Sequence, residues 1–308
     1  MIRNAIHFLR ALALTVPTAL TLSAQEAEPP DKPLLWKVEG NSLEKPSYLF
    51  GTIHLTTPRI EKLHPAAQQA FDAADTVATE MAMDPEIQIA SAMLVMRKDG
   101  STLSESIGEE LTGKLETTLK GINPALDVAI MEPMKTWAVA AAVTVLPYQL
   151  EGRKALDQLI WQRAKDADKQ TVGLETMKEQ VAAFEVLDEA EQVVFLKSTL
   201  ENFAKNGRLL REMIADYEKG DAESINRTFI KSIRELGENE RERAVGEKLL
   251  KSILTGRDRT MAETIDAMLR KDFSKTRFIA VGAGHLIGEN SIRTHLEKKG
   301  WKINRIEG

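Results

Sequence analysis

Two stretches far apart in the chain each place a histidine three positions after a glycine: Tyr48-Leu49-Phe50-Gly51-Thr52-Ile53-His54 and Ile279-Ala280-Val281-Gly282-Ala283-Gly284-His285-Leu286. In both, the residues before the glycine form an apolar run that reads as a strand. Glycine at a strand end lets the backbone turn sharply and approach another group closely, so the imidazole emerges at the rim of a sheet and not within it. If the two strands are neighbours, both imidazoles converge on one site. The chain has five histidines in all, so this pairing uses two of a small set. A pair of imidazoles suits Zn, Mn, Co or Fe, and a carboxylate usually completes such a site.

Glu80 is the first candidate for that carboxylate. It follows the strand-like Asp75-Thr76-Val77-Ala78-Thr79, expected to lie beside the first Gly-x-x-His strand, and would act as third ligand or general base. The competing reading is a solvated acid at a helix start. Glu175, after Val172-Gly173-Leu174, has the same placement, with the same alternative of capping the helix that begins at Thr176. Arg257 and Arg259 follow Gly256 at a helix start, where a guanidinium could stabilise an oxyanion or clamp a carboxylate; surface charge is the plainer reading. His64 and His295 read as structural or solvated. Met93, Met96, Met131 and Met134 read as core filler, with an adaptable groove for apolar peptide as the alternative. No Gly-x-Ser-x-Gly elbow, His-Glu-x-x-His helix or phosphate loop occurs, which disfavours serine hydrolases, ordinary zincins and nucleotide enzymes.

The elements that must position these groups are strands at both ends of the chain with helices between. Residues 34–39 and 47–51 read as a hairpin turning at Gly40-Asn41-Ser42, 59–74 as a helix, and 76–83 as a third strand. From 85 to about 270 the apolar spacing is mostly helical, punctuated by Gly100, Gly121, Pro147, Gly220 and Gly237, with one interruption at 169–175 that fits a strand. Strand 276–281, helix 290–299 and strand 301–306 close the chain. The pattern predicts an α/β fold: a mixed central sheet built from N- and C-terminal strands with a large helical middle region.

The composition is globular, with 43% apolar and 28% charged residues in 308. Forty-one basic against 46 acidic side chains leave a net charge of -5, which argues against a nucleic-acid partner. Cysteine is absent, so thiol nucleophiles, thiolate metal sites and disulfides are excluded. At the N-terminus, Arg3 and Arg10 bracket a basic head, residues 11–22 are apolar, and small residues at Ser23 and Ala24 offer a cleavage point. The run is about 12 residues against roughly 20 for a bilayer span. The expectation is a signal peptide over 1–24 and an exported, periplasmic or secreted product with no stable membrane span after cleavage. A disordered leader over 25–33 and a single domain over 34–308, with its helical insertion at about 85–270, would follow.

The chain resembles the TraB/GumN family, a group that includes the TIKI-type metalloproteases. The resemblance runs from Leu34 to about Ile306. It is carried by Leu35-Trp36-Lys37-Val38, the two Gly-x-x-His segments, Glu80 after its strand, Gly173-Leu174-Glu175-Thr176 with Gln180, and the segment from Arg257 to Ala262. It implies an α/β fold similar to the erythromycin-esterase and ChaN-like group. It also implies a metal-dependent peptidase site in which His54, His285 and Glu80 hold a divalent transition metal (Mn, Co or Zn), with Glu80, Glu175 and Arg257 serving the chemistry on a peptide or protein substrate. One departure is that the family commonly has Arg-Asn where this chain has Arg257-Asp258, and an added carboxylate there is expected to neutralise the arginine. The expected function is therefore an exported metal-dependent hydrolase, most simply a peptidase. One alternative is a non-catalytic envelope protein binding a metal, haem-like ligand or peptide at the same rim, and another is an esterase-like hydrolase using a histidine base without metal.

Overall fold

The computed structural model describes residues 27–234 and 239–308; the signal peptide expected over 1–24 and the turn expected at Gly237 lie outside the described residues. Six strands form one mixed sheet: β1 (Leu35–Glu39), β2 (Ser47–Thr52), β3 (Thr76–Met81), β4 (Gln170–Glu175), β5 (Arg277–Gly282) and β6 (Lys302–Ile306), in the order β4-β3-β5-β2-β1-β6. β2, β5, β3 and β4 run parallel, so their C-terminal ends share one rim. β1 is antiparallel to both β2 and β6. Phe278 to Val281 in β5 are fully buried, as expected of a central parallel strand covered on both faces.

Helices fill the rest: α1 (Pro65–Asp72), α2 (Pro85–Leu94), α3 (Leu103–Ile122), α4 (Thr136–Leu150), α5 (Leu156–Asp166), α6 (Met177–Glu185), α7 (Glu189–Glu201), α8 (Phe203–Lys219), α9 (Ala222–Arg234), α10 (Glu240–Leu250), α11 (Arg257–Lys271) and α12 (Ile292–Lys298). The expected fold class is what the structure has, an α/β sheet of terminal strands with a helical middle. Apolar side chains segregate into two clusters. One covers the sheet and includes Phe50, Phe71 and Phe278, whose ring centroids lie 5.2 and 5.6 Å apart in successive pairs. The other joins α3, α4, α6, α7 and α10 around Leu115, Trp137, Leu196 and Leu249.

One helical path between the two clusters leads to the rim. α10 contributes Val245 and Leu249 to the helical cluster, and α11 contributes Met261, Ala262, Ile265 and Leu269 to the sheet cluster. Between them, Lys251–Gly256 is wound as a π-helix with no fully buried residue. Such wide turns change the phase of the helix face and occur often at functional sites. Here the turn delivers Arg257 and Asp258 to the rim.

Several boundaries differ from expectation. β3 pairs with β5 and β4, not with the first Gly-x-x-His strand, because β5 from the far end of the chain inserts between them. The helix expected at 59–74 shortens to Pro65–Asp72, since proline sits at its first turn and His64 Nδ1 caps the Ala66 N–H at 3.2 Å. The C-terminal helix begins only after Ser291, which caps it. The leader expected to be disordered is anchored over its described part. Arg59 bonds the carbonyls of Glu28 and Pro29 and the carboxylate of Asp31, and the Asp31 N–H reaches Glu218 O at 2.7 Å.

The tightest backbone approach in the sheet is at Gly173. A Cβ there would lie 2.5 Å from Ala82 N and 3.0 Å from Met81 C, both backbone atoms that cannot swing away. Gly173→Ala should therefore cost about 1–3 kcal/mol in urea denaturation. Gly113→Ala, on α3 with nothing within 4 Å of the added carbon, should instead be neutral or stabilising by up to about 1 kcal/mol.

Candidate functional site

The parallel strands place Gly51-Thr52, Glu80, Glu175 and Gly282 at one rim, with Thr52 opposite Gly282 and Met81 opposite Glu175. Glu80 is buried among four partners. Its Oε1 accepts from the Gly282 N–H at 2.7 Å, and its Oε2 accepts from Arg257 Nη2 at 2.6 Å and Gln180 Nε2 at 3.2 Å. His285 Nε2 lies 3.7 Å from Oε1. Glycine at 282 lets the carboxylate come this close without displacement, since a Cβ would stand 3.0 Å from Glu80 Oε1. Burial pushes the carboxyl up, but His285 when protonated, the Arg257 guanidinium, His54 when protonated and the Gly282 N–H bring it down from 4.5 to about 2. Glu80 is thus an ionised group, not a helix cap.

Glu175 resolves the same way. Its helix is capped by Thr176 with Glu179 in a reciprocal box, leaving the Glu175 carboxylate for Arg257. The arginine Nε stands 3.0 and 3.2 Å from its two oxygens, and Nη2 also bonds Oε1. One guanidinium therefore bridges two buried carboxylates, with Nη1 on Ile253 O at 3.3 Å. Burial works against that charge, but Glu80 and Glu175 more than offset it and move the arginine pKa further up. Of the two functional readings of Arg257, oxyanion stabiliser or carboxylate clamp, the contacts match the second, with its donors turned on the chain's own carboxylates. Arg259, two positions further along the helix, is exposed.

The expected neutralisation of Arg257 by Asp258 is corrected. Asp258 faces away from the guanidinium and meets His285 Nδ1 at 2.5 Å, both groups being buried. Burial raises the Asp258 pKa, with His285 and Arg257 opposing the rise. His54 has a matching acid that sequence reasoning missed. Asp157, buried at the start of α5, lies with Oδ2 3.3 Å from His54 Nδ1 and accepts from Thr52 Oγ1 at 2.6 Å through Oδ1. Among the described residues Oδ2 has no aligned hydrogen-bond partner, so the His54 contact is an ion pair. The Asp157 partner raises the His54 pKa, desolvation at the rim opposes it, and Glu80 adds to the rise. With 70% of the His54 side chain open to solvent, water screens this attraction. In sequence, Asp157 looks like an ordinary acid in a first helical turn, and nothing local marks it.

The structure thus brings Glu80, Glu175, Arg257 and His285 into direct contact, with His54 on the same rim beside Asp157. Among the described residues, no three His, Cys, Asp or Glu side chains stand together at ligating distance. Two donors of the expected set do face each other, His285 Nε2 and Glu80 Oε1. One is an imidazole nitrogen whose partner nitrogen is held by a carboxylate, and the other an ionised oxygen, a donor chemistry that fits a divalent transition metal. The remaining candidates lie elsewhere. His64 caps α1, Met131 is buried in the helical cluster, Met96 and Met134 bridge two loops, and Met93 is exposed. A groove of about 840 Å³ lined by Tyr148, Phe203 and Arg211 contains none of the rim residues, so its size does not mark the chemistry. No described helix is long and apolar enough to cross a membrane.

Because Glu80 is held at about 2 against an ordinary 4.5, the unfolded chain binds more protons than the folded one between those values. The stability this carboxylate confers is complete above about pH 4.5 and disappears toward about pH 2. Arg257→Met leaves two buried carboxylates without their cation. It should cost about 3–5 kcal/mol near neutrality and move the acid-unfolding midpoint, followed by circular dichroism, to higher pH.

The chain is 23% identical to metalloprotease TIKI1 of Danio rerio over 87% of its own length and 62% of that protein, and 23% identical to metalloprotease TIKI2 of the same organism over 87% and 60%. The metalloprotease TIKI homolog of Nematostella vectensis is 23% identical over 89% of this chain and 67% of its own. The chain therefore spans about six-tenths of the length of these TIKI1 and TIKI2 relatives. No solved structure matches it significantly. The TraB/PrgY/gumN family model matches residues 34–305, nearly all of the described chain, and the protein belongs to that family.

Proposed function

We propose that the chain is an exported metal-dependent hydrolase, most simply a peptidase, acting at the rim where β2, β5, β3 and β4 end. One observation carries the reading: a buried, ionised Glu80 and the Nε2 of His285 face each other across 3.7 Å. His285 and Glu80, with His54 as the further imidazole, would hold the ion. When bound, a divalent metal supplies Lewis-acid polarisation of a peptide carbonyl and activates water. The relatives named metalloproteases support both the metal and a peptide or protein substrate. The basic head and short apolar run at the N-terminus support export to the periplasm or beyond.

Within this reading each residue has a physical task. Glu80 stays ionised at neutral pH and serves as an oxygen donor or proton acceptor, its orientation fixed by the Gly282 N–H and Gln180. Arg257 and Glu175 hold that carboxylate in place through the guanidinium bridge, so they act as positioning groups. His54, open to solvent, is the side chain an incoming substrate meets first. The alternative is a non-catalytic envelope protein holding a metal, haem-like ligand or peptide at the same rim.

Purified protein should contain a transition metal by elemental analysis, and His54→Ala and His285→Ala should each lower bound metal by at least about tenfold. Metal content unchanged in both variants would remove the proposed ligands. A peptide library should be cleaved by the wild type, with turnover abolished by chelator and restored by Mn, Co or Zn. Metal bound without any cleavage would favour the binding protein.

A further inference from the structure

The contact between Asp258 and His285 has more geometric content than an ion pair. Asp258 is buried, lies one residue into α11, and has its Oδ1 2.5 Å from His285 Nδ1. Among the described residues it is the only polar partner of that nitrogen. An ionised carboxylate can only accept hydrogen bonds, so the nitrogen facing it must carry the proton. In a neutral imidazole the other nitrogen is then bare. That nitrogen, Nε2, stands 3.7 Å from Glu80 Oε1, beyond hydrogen-bond range, so a lone pair faces an ionised oxygen. Such an arrangement is unfavourable when empty and suited to a cation or a proton-bearing group placed between the two atoms.

The ring has little freedom to turn away. His285 sits in the short helical turn Ala283–Leu286, where Ala283 and Leu286 are buried on the sheet cluster. On the other side, Met261 and Ala262, buried on the same face of α11, hold the helix that carries Asp258. The preceding π-turn sets the phase at which Arg257 points to the two glutamates while Asp258, the next residue, points to the histidine.

We propose that Asp258 is a positioning residue: by accepting the Nδ1 proton of His285 it locks the imidazole in the tautomer whose Nε2 lone pair is aimed at Glu80. The second nitrogen of a ligating histidine is commonly tied in this way to a carboxylate or carbonyl, which fixes ring orientation and raises donor strength. Only the consequence for metal affinity rests on the metal reading given above. The tautomer itself does not.

Nitrogen-15 correlation spectra of the histidines in the metal-free full-length protein, followed into the alkaline range until the ring signals stop shifting, read the tautomer directly. Wild-type His285 should carry its proton on Nδ1 with Nε2 bare. Asp258→Ala should lose that preference, and Asp258→Asn should keep it, because the amide oxygen still accepts from Nδ1–H. If Asp258→Ala fails to fold, Asp258→Leu fills the same buried space without an acceptor and gives the same comparison. Zinc titration should then show Asp258→Ala, or its leucine substitute, about 10- to 100-fold weaker than wild type, with Asp258→Asn recovering most of the loss. A proton on Nε2 of wild-type His285 overturns the proposal, as does an unchanged tautomer in the variant lacking an acceptor, or an unchanged zinc affinity there in a wild type that binds zinc. A locked Nδ1–H tautomer in a wild type that binds no zinc sustains the positioning role and removes the metal reading instead.

Discussion

One guanidinium shared between two buried carboxylates is the constraint on which the rim of this molecule depends. Glu80 and Glu175 end adjacent parallel strands, and Arg257 reaches both from the start of α11. Two like charges so close in a region shielded from water would repel strongly, and one of them would be driven to take up a proton. A fork of donors held between them neutralises the pair and defines the direction of each carboxylate at once. Burial of such a triad is not in itself a source of stability, since desolvating three charges offsets much of their attraction. Its effect is geometric: the β3 and β4 ends and the α10–α11 path can meet in only one register without stranding a charge.

The same helical path supplies a second constraint. Asp258 follows Arg257 directly, so the guanidinium bridge and the His285 contact are fixed by one helix start. On the opposite side of the rim, α5 presents Asp157 to His54 and Thr52. Each Gly-x-x-His imidazole therefore has its own buried aspartate, Asp157 in the first turn of α5 and Asp258 just after the π-turn. The two differ in access. His285 is buried and fixed, whereas His54 is open to solvent. This asymmetry suits a site in which one imidazole belongs to the framework and the other meets what arrives.

Much of this was legible from residue order. The paired Gly-x-x-His segments, the acids that close Thr76–Met81 and Gln170–Glu175, and the glycine-led helix start at Arg257 all carry local signals. Glycine at 282 is a good example, because its lack of a side chain is what lets the Glu80 carboxylate reach the backbone. Partner choice was not legible. Asp258 reads as a neutraliser of the arginine beside it, yet successive residues on a helix point about 100° apart. Asp157 gives no signal at all, because an acid in a first helical turn is commonplace. The place of β3 was misjudged for a related reason: sequence neighbours usually pair, and here the last parallel strand inserts between β2 and β3.

By itself, then, the sequence determined the α/β class, the strand ends that bear chemical groups, and the types of those groups, because apolar periodicity and glycine act over a few residues. Only the tertiary structure decided which acid serves which base. Those pairings join positions such as Glu80 and Arg257, or Thr52 and Asp157, that no local rule connects. They are set by the order of strands in the sheet and by the phase of the helix that follows the π-turn, both properties of long-range packing.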